Sequence, residues 1–286
     1  MRISFYILIV ITGILSIYTD ITQKKIKNDY LRVIFFCTVI LYLLFFISGD
    51  LKLTPNLILN PIVALTAGFI LYAGALWKAG DAKLFFVYSV LLPESKYSTI
   101  FPLPCIALFL VTFLLALLFV LPSLVGTIIT HKDRINKEVL SIKAVKYFCQ
   151  AFLITFGISW IISLILRFLS LENNVFLNFT LLFLGYMTVN KLMTKINSKF
   201  LLAFVFVTGF ILRYIFMPES YSLPSLTSYF KYLLSFSVIF YILRVIIQVD
   251  AEKPKRIPFA PFMFLGVILS NTGFLWWAMA AISYLK

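Results

Sequence analysis

The chain has 286 residues, 62% of them hydrophobic and only 13% charged, with a formal net charge of +14. Globular proteins hold about 45–50% apolar and about 25% charged residues, so a soluble fold could not hide this much apolar surface. Apolar runs of about 18 residues or more recur from end to end, which reads as a polytopic membrane protein.

In chain order there are about ten apolar segments, weighed against the roughly 20 residues a spanning helix needs. They are Ile3–Thr19, Leu31–Ser48, Leu57–Trp77, Ala82–Leu92, Pro104–Thr130, Tyr147–Leu169, Val175–Asn190, Phe200–Met217, Ser228–Gln248 and Pro258–Leu285. None alternates as barrel strands do, so the expected fold class is an all-α transmembrane helix bundle. Met1–Tyr18 has the length of a signal peptide, but no small-x-small site follows, and it is read as a retained first helix. The fourth segment is short, and counts as a crossing because the charges on either side then alternate.

Basic residues cluster in alternate loops. Lys24, Lys25, Lys27 and Arg32 share one; Lys78 and Lys83 flank the next; Lys132, Arg134, Lys137, Lys143 and Lys146 follow. Lys191, Lys195 and Lys199, then Lys253, Lys255 and Arg256, complete the set. By the positive-inside rule these loops are cytoplasmic and both termini lie on the outer side. The expected partner of the positive charge is anionic lipid, not nucleic acid. Arg167, Arg213 and Arg244 lie near helix ends, close enough to snorkel. Asp133 and Glu138 read as part of a solvated charged loop, and Trp276 and Trp277 as an interfacial anchor. Cys37, Cys105 and Cys149 lie in or beside apolar runs without a Cys-x-x-Cys, and His131 is the single histidine. They read as buried free thiols; no metal site and no cofactor is expected.

Two carboxylates stand out at the cytoplasmic boundary. Asp20 ends the first apolar run in YTDITQKKIKND, and Asp81 follows the third in KAGDAKL. Gly13, Ser16 and Asp20 share one helix face, and Ala64, Gly68 and Ala75 share another. Small faces permit close helix approach in lipid; if these two met, the carboxylates would lie together at one depth. Two close carboxylates share a proton, so one can act as base toward water while the other polarises a peptide carbonyl. Gly80 would let a substrate backbone approach Asp81 and would allow an unusual φ. A simpler role is open as well. Asp is a good N-cap, Asp20 with Gln23 resembles a capping box, and Asp81 could cap a helix starting at Ala82. Capping and catalysis are compatible.

These residues resemble the type IV prepilin peptidases and preflagellin peptidases, intramembrane aspartyl proteases of the Gly-x-Gly-Asp type. The resemblance rests on Gly80-Asp81-Ala82-Lys83-Leu84 after an apolar helix, and on Asp20 upstream of Lys25-Ile26-Lys27-Asn28. Arg256-Ile257-Pro258-Phe259-Ala260-Pro261-Phe262, with Gly266, is similar to the start of the family's last core helix. Lys78 stands where the motif's first glycine would be, and Lys27 where a proline is usual. The resemblance implies that Asp20 and Asp81 are the catalytic pair, with Gly80, Lys78, Lys83, Lys25 and Asn28 in supporting or substrate-binding roles. It implies a core formed by residues 1–130 and 255–286, with 131–254 as inserted helices of unknown role. The four-cysteine segment of bifunctional members is missing, which implies a peptidase alone. The implied substrates are prepilin-like or prearchaellin-like precursors with a basic leader, cut at the cytoplasmic membrane. Two other readings remain: a polytopic transporter using the carboxylates as a proton relay, and a catalytically inactive membrane scaffold.

Overall fold

The computed structural model describes residues 2–51, 54–74, 76–92, 103–139, 142–168, 175–196, 199–216, 223–250 and 258–271. They form eleven helices and no strand: α1 (Arg2–Gln23), α2 (Asn28–Ile47), α3 (Pro55–Ala73), α4 (Ala79–Leu91), α5 (Pro104–Thr130), α6 (Lys132–Val139), α7 (Ile142–Phe168), α8 (Val175–Ile196), α9 (Lys199–Phe216), α10 (Leu223–Asp250) and α11 (Ala260–Asn271). Among the described residues five helical stretches are long and apolar enough to cross a membrane: Ile3–Gln23, Asn28–Ile47, Pro55–Ala73, Pro104–Thr130 and Val145–Arg167. Ile14, Phe36 and Phe69 on α1, α2 and α3 point outward. Large apolar side chains on an outer face are what lipid contact requires and water penalises.

The chain divides into two compact units, Met1–Leu118 with Arg256–Lys286, and Phe119–Lys255. The boundary falls within α5, not after it.

In the first unit α1 packs on α2, α4 and α11, and α3 packs on α4. The expected meeting of the small faces of α1 and α3 takes another form. Gly13 of α1 lies against Phe264 of α11, and Gly68 of α3 against Ala82 of α4. Each bare Cα gives the neighbouring helix room to approach.

The short fourth apolar segment forms a short helix. Helix α4 has 13 residues, about 20 Å at 1.5 Å per residue, against a hydrocarbon core of about 30 Å. Its Leu84, Phe85, Val87, Tyr88, Ser89 and Leu91 are all buried. A short helix enclosed by longer ones must still satisfy its end groups. Side chains do this. At its C-terminus the Asn60 amide donates to the Ser89 carbonyl at 2.7 Å, and the Tyr42 hydroxyl to the Val90 carbonyl at 2.8 Å. The Asn60 Oδ1 also accepts from the Cys105 amide at 2.8 Å, so one buried side chain closes α4 and opens α5.

The second unit is built around α7, which packs on α8, α9 and α10. Gly157 of α7 and Gly209 of α9 face each other, so these backbones cross in direct contact. Phe156, Trp160 and Leu233 form a buried core with Phe152, Phe206 and Tyr229 packed on it. The Asp133–Glu138 segment is helical, as α6, and buries Ile135.

Two expectations on buried groups are corrected here. Arg213 does not snorkel: it is 3% exposed, and its guanidinium lies 3.8 Å from the Trp160 ring centroid and 4.4 Å from that of Tyr229. Of the three cysteines only Cys105 is buried; Cys37 and Cys149 lie on outer faces. The side chain of Arg244, the tryptophans Trp276 and Trp277, and the 251–257 basic segment lie outside the described residues.

Candidate active site

Asp20 lies in the last turn of α1, which continues to Gln23, so it does not cap a helix of its own. The C-terminal end of a helix repels a carboxylate. Another helix offsets this: the Asp20 Oδ2 accepts from the Ala260 amide of α11 at 3.2 Å. Ala260 is the first residue of α11, so Asp20 binds one of that helix's orphan N–H groups at the positive end of its dipole. Asp20 is only 2% exposed.

Asp81 is in the first turn of α4 and 6% exposed. Its Oδ2 accepts from the Lys78 amide at 3.0 Å, while the Lys78 carbonyl takes the first helical bond, from Ala82 at 3.1 Å. This is the acidic half of a capping box, with the carboxylate at the third helical position reaching back to the residue before the helix. The N-cap, Lys78, contributes its backbone alone, because an ammonium group cannot accept a hydrogen bond.

The two carboxylates therefore share a design. Each is buried, and each is held by a backbone N–H at a helix N-terminus. The pairing of α1 with α4 brings them to one end of the unit. Ser16 faces Tyr88, without completing a well-formed hydrogen bond, and Ile26, just past α1, meets Gly80. As α1 advances, α4 is met in reverse, so the helices are antiparallel. Asp20 lies one turn beyond Ser16, and Asp81 two turns before Tyr88, inside the span that these contacts bracket.

The surroundings of Asp20 are polar but enclosed. Thr19 donates to the Leu15 carbonyl at 2.9 Å, and its Oγ1 lies 3.3 Å from the Tyr30 hydroxyl of α2. The Tyr30 phenol is close enough to Asp20 to feel its charge. On the other flank an aromatic cluster seals both cap donors. The Trp77 ring stacks on Phe113 of α5 at 5.6 Å with an interplanar angle of 7°, and meets Phe85 at 5.2 Å and Phe259 at 6.1 Å. Trp77 immediately precedes Lys78, and Phe259 immediately precedes Ala260. The cluster thus fixes the two amides that hold the carboxylates; such ring pairs contribute roughly 0.5–1.5 kcal/mol each beyond their buried area.

A pocket of about 210 Å³ adjoins Asp81, lined by Lys24, Lys25, Ile26, Asn28, Lys78, Ala79, Gly80, Asp81 and Lys83. Two chain corners form it, the α1–α2 corner and the α3–α4 corner. The Lys83 ammonium donates to Asn28 Oδ1 at 3.0 Å across the gap. The structure thus gathers Lys25, Asn28, Lys78, Gly80, Asp81 and Lys83 around one cavity. Asp20 does not line it and sits with α11.

Gly80 does not carry the unusual φ expected of it. Among the described residues the positive-φ glycine is Gly49, not Gly80. A Cβ at Gly80 would stand 3.0 Å from the Ile26 Cβ, so its bareness lets the two corners meet. The unusual φ belongs to Lys24, at 52°. It turns the chain out of α1, and the Lys25 amide then donates to the Thr19 carbonyl at 3.5 Å. Helices commonly end with a left-handed residue just past the last turn, and Lys24 takes that position after α1. Sequence reading did not single out Lys24, Tyr30, Trp77 or Tyr88. Of these Tyr88 carried a signal, since it falls seven residues after Asp81 on the same helix face.

No protein-family model matches the chain, and neither a curated protein nor a solved structure matches it.

Proposed function

We propose that the chain is an intramembrane aspartic endopeptidase of the prepilin peptidase type. It would lie in the cytoplasmic membrane with its active site at the cytoplasmic face and both termini outside. Its substrates would be prepilin-like or prearchaellin-like precursors, each with a basic leader on the cytoplasmic side and an apolar helix beyond the cut. The observation that carries this reading is the matched placement of Asp20 and Asp81. Both are buried at one end of the antiparallel α1–α4 pair, and both are positioned by helix N-termini.

One aspartate takes a proton from a water, whose oxygen adds to the scissile carbonyl carbon. The other, protonated, hydrogen-bonds the carbonyl oxygen and gives it its proton as the tetrahedral intermediate forms. Collapse breaks the C–N bond: the proton taken from water passes to the leaving amine, and a hydroxyl of the intermediate returns a proton to the second aspartate, which restores the starting pair. Water is consumed and the proton inventory balances without a metal or cofactor. The backbone donors at Lys78 and Ala260 hold the carboxyl groups without reorganisation, which is how a preorganised site lowers a barrier.

One observation favours a second reading, an inactive membrane scaffold: each carboxylate already performs a capping role. Cleavage of a co-expressed prepilin separates the two. Wild type should release the leader, giving a mobility shift and a new N-terminus. Asp20→Asn and Asp81→Asn, which keep an oxygen able to cap, should insert normally and cleave nothing. No leader release by well-inserted wild type would favour the scaffold reading, and normal processing by either variant would show that this pair of carboxylates is not the catalyst.

A further inference from the structure

The hydroxyl of Tyr88 is a buried donor that the fold leaves unused. Tyr88 is 0% exposed, and so is Ser16 of α1, which it faces. The two hydroxyls miss hydrogen-bond geometry, and the Tyr88 hydroxyl has no other partner. A bare buried hydroxyl is costly, so one that persists calls for an explanation.

The groups around it are acceptors. The Ser16 hydroxyl gives its proton to the Gly13 carbonyl at 3.1 Å. Thr19 gives its own to the Leu15 carbonyl at 2.9 Å, so the Tyr30 hydroxyl is the donor in its 3.3 Å contact with Thr19. A hydroxyl has one proton and two lone pairs, which leaves Ser16 and Tyr30 with acceptor capacity. Tyr30 lies near enough to interact electrostatically with both Asp20 and Tyr88. Tyr88 comes to this level although it lies two turns from Asp81 along α4, because helical side chains lean toward the N-terminus of their helix. In α4 that is the Asp81 end.

We infer that Tyr88, with Ser16 and Tyr30, holds the water that attacks the scissile carbonyl, and that Asp20 is the base that deprotonates it. This rests on the peptidase reading and gives the two aspartates separate roles. The water oxygen accepts from Tyr88, and its two protons point to Asp20 and to a hydroxyl oxygen. Such a set meets the roughly two to four polar partners that a buried water takes. A polar contact that misses bonding geometry is also where a bridging water fits. A peptide group fits worse. Ser16 and Tyr88 are enclosed between α1 and α4, so a substrate backbone would have to part these helices, whereas a water would not. Asp81 instead lines the open pocket with Gly80, the side from which the precursor's carbonyl can arrive. Asp20 takes one proton of the water as its oxygen adds to the carbonyl carbon, and Asp81 gives its proton to the carbonyl oxygen. Fixed hydroxyls place the water without reorganisation.

The test uses the full chain in nanodiscs of phosphatidylcholine and reads the water first. An X-ray pulse splits ordered water in place, so an enclosed side chain is hydroxylated where a water lies beside it. Tyr88 should be modified, and Phe5 and Phe240, equally enclosed, should not. A Tyr88 that stays unmodified would overturn the site. Kinetics on a precursor with a basic leader come next. Tyr88→Phe removes only the hydroxyl and should lower kcat about tenfold to a hundredfold with KM unchanged. It should unfold in SDS no earlier than wild type, because the hydroxyl bonds no protein group. Tyr42→Phe removes a hydroxyl that closes the other end of α4 and should leave kcat as in wild type. An equal fall there would mean that the loss acts through α4, and would overturn the assignment. Adding Ser16→Ala to Tyr88→Phe should lower kcat little further, since both side chains hold one water; multiplied losses would overturn the shared site. Cleavage at the wild-type kcat by Tyr88→Phe would sink the inference and leave the peptidase reading in place. If the pulse modifies Tyr88 but wild type cuts no precursor, the peptidase reading fails and the enclosed water stands.

Discussion

The two units solve the problem of a buried charge in opposite ways. In the first, Asp20 and Asp81 are enclosed but kept at helix N-termini, each taking a backbone N–H. In the second, Arg213 is enclosed by π faces, between Trp160 and Tyr229. A ring face attracts a guanidinium and gives it packing. A helix N-terminus attracts a carboxylate through its dipole and a backbone N–H. Buried charge in the first unit is thus held by backbone donors, and in the second by ring faces, where it serves cohesion. The same contrast runs through the neutral groups. The first unit closes its short helix with Asn60 and Tyr42, whereas the second packs rings on rings, such as Phe156 on Phe206 at 4.9 Å.

The comparison can be broken at several points. Asn60→Leu should have the largest effect on stability. It strands the buried Ser89 carbonyl and Cys105 amide, at roughly 1–3 kcal/mol for each unsatisfied group. SDS-titrated unfolding in micelles would read the loss, and a change below about 1 kcal/mol would mean that α4 does not depend on this cap. Arg213→Met should cost about 1–2 kcal/mol through the lost ring contacts while leaving cleavage unchanged. Arg213→Lys should not restore that stability, because a compact ammonium does not stack as a planar guanidinium does. If Arg213→Met abolished cleavage with folding intact, the assignment of cohesion to the second unit would be wrong. Two glycines of opposite setting give a further contrast, with the smallest effect of all at Gly126. Gly13→Ala would push a methyl into Phe264 and should destabilise by about 1–3 kcal/mol. A Cβ at Gly126 meets nothing within 4 Å, so Gly126→Ala should be neutral or stabilising by up to about 1 kcal/mol.

Much of the helical layout was legible because apolar run length is a direct physical requirement in lipid. The boundary carboxylates were legible too, since a charge beside an apolar run is costly and stands out. What escaped was partnership. Small residues at Gly13 and Gly68 announce that a backbone comes near but not whose, so α11 and α4 were not foreseen as their neighbours. Asp20 as the cap of α11 depends on a contact 240 residues away, which no local pattern encodes. Arg213 sits near a helix end and reads as a snorkelling residue; its ring partners come from α7 and α10. Helix α4 was legible as short, but its enclosure by other helices was not, because charge alternation cannot tell a lipid-facing helix from an enclosed one. Gly80 was read through the substrate, whereas its nearest neighbour is Ile26 of the same chain.

The most direct test of the central claim is a cleavage cycle with purified, inserted protein: wild type, Asp20→Asn, Asp81→Asn and the double variant on one precursor. If the two carboxyl groups act as one catalytic unit, either single change should abolish turnover as completely as the double change. Measurable residual rates in the single variants, multiplying to give the rate of the double variant, would show two independent groups and contradict the account.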